Sequence, residues 1–201
     1  MAGNPVLLAP DQILQKLAAL FLAPAHDRHV YTVFGDYAYL RPFQKRLKEE
    51  VERGNFNGPL GNVEYLSLNR DLLSHIDARG LKDKAQSLAT GRRDDELRRL
   101  LYDSFRDLVT SRIERSGTLG LVLADFELLY SYDLGHNDIS IVRQVAINGK
   151  RVCLLVPGAM QDGHLWIFEE DPESRREFPE PLLFMNSGWV FALAPSGGET
   201  R

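Results

Sequence analysis

Residues 119–125 have the sequence Leu-Gly-Leu-Val-Leu-Ala-Asp, a continuous apolar run that stops at an acidic residue. A strand that is buried on both faces has this composition because neither face meets water, and parallel sheets bury both of their faces. Residues 152–156, Val-Cys-Leu-Leu-Val, show the same pattern. The two runs therefore predict two interior strands of a mostly parallel sheet.

Helical and strand-like segments alternate along the rest of the chain. Apolar residues recur at helical spacing, or in short apolar or alternating runs, and these predict helices over 11–21, 40–51 and 94–116 and strands over 29–34 and 63–68. This alternation predicts an α/β fold with a mostly parallel central sheet flanked by helices, and the short apolar runs from residue 164 onward predict antiparallel C-terminal strands. Residues 81–92 fit no single pattern.

Length and charge narrow the classes of function. A chain of 201 residues with 44% hydrophobic residues can bury one large core, so we expect a single α/β domain over residues 1–195 and a flexible tail over 196–201. Its single cysteine excludes an internal disulfide framework and fits the reducing cytoplasm. A net charge of −4 argues against direct binding of nucleic acid, which needs a concentrated excess of lysine and arginine.

Part of this layout is similar to that of nucleotide hydrolases. In P-loop proteins a glycine-rich loop after one strand binds phosphate, and an acidic residue associated with another strand helps to hold magnesium. Here Asp125 ends a buried strand, with Glu127 two residues on, and Gly35 and Asp36 occupy the expected place of the phosphate loop. That place has no lysine followed by serine or threonine, and its aspartate repels phosphate. We therefore expect a P-loop or RecA-like shape without a working Walker A loop.

These four residues are the candidates for cofactor binding, and each has a plainer explanation. Gly35 and Asp36 fit a simple turn from a strand to a helix. Asp125 and Glu127 would share one face of a strand and form an acid–base pair in a cleft, or the strand ends and Asp125 faces water. The charged outer face of residues 44–53 is typical of a solvated helix. We predict no catalytic residue, cofactor or metal, since the histidines do not cluster as metal ligands do.

A candidate for partner binding follows the second buried strand. That strand is expected to end at Pro-Gly, and a polar loop and an apolar edge strand come next. Loops beyond the carboxyl ends of parallel strands hold ligands in open α/β sheets, although a glycine-rich hairpin explains the same residues. The candidate residues are Pro157, Gly158, Asp162, Gly163, Trp166 and Phe168.

Several motifs follow one another in the C-terminal half, at residues 121–130, 143–146, 152–158 and 162–168. In this order they resemble the BrxB family of accessory proteins from BREX phage-resistance systems, in which an apolar strand ends in Pro-Gly before a glycine and an L-x-x-F-like strand. The BrxF family of the same systems, a P-loop family, is the alternative. The acidic strand end at residues 125–130 is more similar to that family, but its phosphate loop would be degenerate here.

The resemblance covers residues 119–168 and implies an adaptor without enzymatic activity in a phage-defence complex. Its partners would be the PglZ-like phosphatase and the large ATPase of that system, and DNA would be reached only through them. The alternative is a nucleotide-binding P-loop-like protein, or a degenerate ATPase, that uses Asp125 and Glu127. Whether the chain is an enzyme stays open, with the adaptor favoured.

Overall fold

A computed structural model describes residues 6–23, 29–59, 61–132, 135–147, 149–161, 164–167, 176–177 and 189–194. Within these ranges the chain forms an α/β fold with a mostly parallel central sheet flanked by helices, which confirms the predicted fold class. None of the helices in these ranges combines the length and the apolarity needed to cross a membrane. Residues 196–201 lie outside the described residues, so the flexible tail and the single domain over 1–195 stay predictions.

The helices of the described ranges are α1 (Pro10–Leu22), α2 (Tyr37–Glu52), α3 (Leu68–Ala78), α4 (Lys82–Thr90), α5 (Asp94–Ile113), α6 (Glu127–Ser131) and α7 (Gly135–Val145). The strands are β1 (Val6–Leu8), β2 (His29–Gly35), β3 (Asn62–Ser67), β4 (Thr118–Ala124), β5 (Arg151–Gln161), β6 (His164–Ile167), β7 (Arg176–Glu177) and β8 (Val190–Leu193).

The parallel sheet has the strand order β1-β8-β2-β5-β4-β3. Its two most apolar strands, β4 and β5, lie side by side, and every residue of β4 is buried. The antiparallel strands are β6, which pairs with the end of β5, and β7, which pairs with β6. The last strand, β8, was also expected to be antiparallel, and this was wrong: it lies between β1 and β2 and is parallel to both. The carboxyl ends of β2, β3 and β4 therefore meet at one edge of the sheet.

Helices cover both faces of the sheet, which explains why its interior strands are mostly apolar. The apolar residues of α1 and α2 pack on one face, against side chains such as Tyr31 and Val33. The apolar residues of α3 to α7 pack on the other face, against side chains such as Val30 and Phe34. Successive residues of β2 thus point into different cores, as the period of a strand requires.

Four segments differ from the sequence-based expectation. α2 begins at Tyr37, because the carbonyl of Asp36 accepts the first helical hydrogen bonds, so Pro42 lies inside the helix and not in its first turn. The undecided residues 81–92 contain α4, and the short α6 was not predicted. β5 does not end at Pro-Gly but continues to Gln161. Pro157 falls after the last β4 pair and before the first β6 pair, where its missing N–H is tolerated.

Candidate functional site at the carboxyl edge of the sheet

The carboxyl edge of the sheet brings distant polar residues together. β3 and β4 pair in parallel with Ser67 beside Ala124, so the residues that follow these two strands emerge as neighbours. In open α/β sheets this edge is where ligands bind. We therefore describe the side chains that emerge there from α2, β3 and β4.

Asp125 directly follows β4 and has a φ of 60°, in the left-handed region that a residue other than glycine seldom adopts. Its carboxylate accepts a short hydrogen bond from the hydroxyl of Ser67, and its carbonyl accepts one from the N–H of Asn69 at 3.2 Å. These bonds tie the end of β4 to the start of α3. A backbone conformation of this kind costs about 1–3 kcal/mol and is held by its surroundings.

Glu127, the first residue of α6, ties three helices together. Its carboxylate accepts one hydrogen bond from the Tyr37 hydroxyl at 2.9 Å and another from the side-chain amide of Asn69 at 2.8 Å. The side-chain carbonyl oxygen of Asn69 accepts a hydrogen bond from the backbone N–H of Leu128 at 2.9 Å. Both carboxylates of the site are thus held by neutral donors. They share the site although β4 ends before Asp125, so the strand-face reason given for their proximity is wrong.

An open groove of about 580 Å³ lies beside this cluster, between α2 and the edge strand β3. One wall is a stripe of α2 and the other is formed by the ends of β3 and β4 and the start of α3. Its polar lining residues are Tyr37, Arg41, Gln44, Lys45, Lys48, Tyr65, Ser67, Asn69, Arg70, Asp125 and Glu127. The groove therefore presents four cations beside the two carboxylates.

Gly35 and Asp36 do not line this groove. Gly35 is the last residue of β2, and a Cβ built on it would lie 3.0 Å from the Cβ of Leu193, so packing against β8 explains the glycine. Asp36 is exposed and precedes the first turn of α2. Of the four cofactor candidates, the structure brings Asp125 and Glu127 together and leaves the other two outside the groove.

The partner-binding candidates fall on the antiparallel extension, which we define as residues 158–161 of β5 together with β6 and β7. Gly158 pairs with Ile167, and the half-buried Trp166 pairs with both Ala159 and Glu177. Pro157 precedes the extension in β5 and pairs with Gly35 of β2. Asp162, Gly163 and Phe168 lie outside the described residues.

The lone thiol and the histidines do not build a site. Cys153 lies fully buried in β5, where burial raises the pKa of its thiol well above the ordinary range, so it stays protonated and unreactive. This confirms its expected place in the core. Among the described residues, no group of histidine, cysteine, aspartate and glutamate is arranged to hold a metal ion.

Sequence reasoning missed most of the groove. Ser67 lies near the end of the strand predicted over 63–68 and Asn69 follows it, so their place at the carboxyl edge was available from the pattern. Lys45 and Lys48 were interpreted as part of a solvated helix face over residues 44–53, because a helix pattern alone does not show what lies opposite. The structure places Lys45 and Lys48 opposite Tyr65 of the edge strand.

The fold and the groove together define an α/β protein with a polar site at the carboxyl edge of a parallel sheet. Comparison with protein-family models, with curated proteins and with solved structures finds no match for this chain.

Proposed function

We propose that this chain is a non-enzymatic adaptor of a bacterial phage-defence complex of the BREX type. It acts in the cytoplasm by binding partner proteins, among them a PglZ-like phosphatase and the large ATPase of the same system, and it reaches DNA only through them. The support from sequence is the BrxB-like order of motifs over residues 119–168. The net charge of −4 is consistent with indirect contact to nucleic acid.

The observation that carries the proposal is the antiparallel extension. It branches from the carboxyl edge of the parallel sheet and falls within the segment that resembles the BrxB family, apart from β7. Its half-buried Trp166 belongs to a residue type that dominates the binding energy of many protein interfaces. Leu165 and Ile167 of β6 are buried in the core, so the extension is anchored to the sheet and offers a partner a fixed surface on the side that bears Trp166.

Co-purification tests this proposal. We expect the tagged chain, co-expressed with the other proteins of its own operon, to recover the PglZ-like phosphatase as a complex that persists through size-exclusion chromatography. Trp166→Ala should weaken that complex by about tenfold or more, the loss typical of an aromatic residue at the centre of an interface. The control is Tyr39→Ala, which removes an exposed aromatic side chain on α2.

Recovery of the chain alone would contradict the adaptor proposal. A complex that is equally stable in Trp166→Ala and Tyr39→Ala would contradict the proposed docking surface. The absence of genes for a PglZ-like phosphatase and a large ATPase beside the gene for this chain would also count against the adaptor proposal.

The second candidate is a nucleotide-binding protein of P-loop-like shape, or a degenerate ATPase. The observation in its favour is that Asp125 and Glu127 line one groove with four cations at the carboxyl edge of the sheet. It predicts heat of binding with ATP or GTP in the presence of magnesium, and loss of that heat in Asp125→Asn. Asparagine tolerates the left-handed backbone at this position, so the variant should keep its fold. Calorimetry that detects no nucleotide binding rejects this candidate.

A further inference from the structure

A stripe of cations on α2 faces the edge strand β3. Arg41, Lys45 and Lys48 are separated by four and three residues, the spacing that aligns side chains along one face of a helix, and all three line the groove. Arg70, at the start of α3, lines its other wall. The four cations exceed the two lining carboxylates by two charges, in a chain whose net charge is −4. The groove is therefore a local site of positive charge.

The carboxylates of the site do not form ion pairs with these cations. Asp125 and Glu127 take their hydrogen bonds from Ser67, Tyr37 and Asn69, which are all neutral. Lys45 is exposed and, within the described ranges, forms no ion pair. The guanidinium of Arg41 lies 5.2 Å from the centre of the Tyr37 ring, a contact that orients it without neutralising it.

The other two cations have only loose or local partners. Lys48 lies 3.7 Å from Glu52 one turn along α2, and Arg70 contacts the adjacent Asp71 at 3.0 Å. The Lys48–Glu52 pair is exposed and exchanges readily for another anion, whereas the side chain of Asp71 is only 18% exposed and keeps Arg70 paired.

Tyr65 adds a neutral donor to the same groove. Its side chain is half-buried between α2 and the sheet, and its hydroxyl makes no hydrogen bond with the described residues. Burial, followed by the charge of Asp125, raises the pKa of this phenol, so it stays protonated at neutral pH and keeps an O–H to donate. The Tyr65 hydroxyl therefore lines the same groove as the α2 cations with a proton that it can donate to an oxyanion.

We propose that this groove binds the phosphate group of a small organic phosphate, without magnesium, through Arg41, Lys45 and Lys48 with the Tyr65 hydroxyl as a further donor. Arginine and lysine are the side chains that recognise phosphate oxygens, one by its fork of donors and the other as a point charge. A volume of about 580 Å³ lies in the range of small-molecule sites. The carboxylates Asp125 and Glu127 hold the groove together and are not ligands.

Titration of the whole chain with ADP and with inorganic phosphate, both in EDTA, tests this inference. The readout is the set of backbone amide chemical shifts. We expect saturable shifts at residues 41–48 and at Tyr65 with each probe. Lys45→Ala should weaken binding of ADP by about tenfold, the effect of one lost charge-assisted hydrogen bond. Lys16→Ala, which removes an exposed lysine on α1, should leave it unchanged.

Three outcomes overturn the inference. Shifts that do not saturate, or that weaken equally in Lys45→Ala and Lys16→Ala, mean that only the general charge of the surface is sensed. If binding is absent in EDTA, appears when magnesium replaces EDTA and disappears in Asp125→Asn, the ligand binds at the carboxylates instead. A polyglutamate peptide that displaces ADP and binds more tightly makes the groove a peptide site. None of these outcomes changes the co-purification expected of the adaptor, so the two proposals fail separately.

Discussion

Arg151→Ala is expected to lower the free energy of unfolding by about 3–5 kcal/mol, because buried backbone carbonyls would each lose their charged donor at a cost of about 1–3 kcal/mol and a cavity would open beside them. Arg151 is the first residue of β5, and only 1% of its surface is exposed. Its guanidinium donates to the carbonyls of Gly149 at 2.7 Å and Leu20 at 3.3 Å, and makes a short hydrogen bond with the carbonyl of Ala23.

Two of these carbonyls belong to the C-terminal end of α1. The last four carbonyls of a helix have no partner inside the helix and carry the negative end of its dipole. From within the sheet, the Arg151 guanidinium donates hydrogen bonds to these carbonyls and places a positive charge at the negative end of the helix dipole. The hydroxyl of Tyr31 donates a further hydrogen bond to the Leu20 carbonyl at 3.3 Å. Alanine leaves these acceptors buried without their charged donor and opens a cavity beside them.

Urea denaturation measures this effect through the midpoint, with the slope expected to stay unchanged. Arg151→Lys keeps the charge but loses the planar fork of donors, so its stability should lie between those of the wild type and the alanine variant. The matched control is Arg99→Ala, which removes an exposed arginine of α5. A difference between Arg151→Ala and Arg99→Ala of less than about 1 kcal/mol would show that the buried contacts contribute no more than surface ones.

The parts of the fold that depend on local pattern could be predicted. The runs at 119–124 and 152–156 are buried on both faces, and the apolar spacing of residues 94–113 matches the face of α5 that packs against the sheet. The sequence pattern does not predict an element whose formation depends on contacts with distant parts of the chain. The helix at 82–90 has one fully buried residue, Leu88, so its apolar face is too narrow to recognise along the chain.

The candidate site divides in the same way. Asp125 and Glu127 could be predicted as site residues because they follow a buried strand, and ligands bind at the carboxyl ends of strands in open α/β sheets. Their partners were not found, because Ser67 lies 58 residues away in sequence and reaches Asp125 only through the pairing of β3 with β4. The register of two strands is a property of the folded sheet and has no local signal.

β5 shows a local rule that was overridden. Pro-Gly usually marks the end of a strand, yet here the strand continues beyond Gly158 to Gln161, because β6 supplies new partners from Gly158 onward. The glycine is needed for a reason that the sequence does not reveal. A Cβ at this position would lie 2.1 Å from the carbonyl oxygen of Trp166 and 3.3 Å from the Cα of Ile167, so the two strands approach too closely for any side chain.

Gly158→Ala is therefore expected to separate β6 from β5 while the parallel sheet stays folded. Amide hydrogens of residues 164–167 should exchange about a hundredfold faster, which corresponds to a local loss of about 3 kcal/mol. Amides of β2 and β4 should keep the protection of the wild type, because their pairs with β5 end before or at Pro157. If the antiparallel extension is the docking surface, the variant should also lose the co-expressed phosphatase.

Ala159→Ser is the matched control for this variant, because it adds one heavy atom at the next residue of the same strand, where the side chain is half-buried and points to the opposite face. It should keep both slow exchange and partner binding. Slow exchange at residues 164–167 in Gly158→Ala would contradict the close approach of the two strands. Fast exchange with intact partner binding would support the close contact of the two strands but show that the partner docks elsewhere. The two measurements therefore separate the packing of the extension from its proposed function.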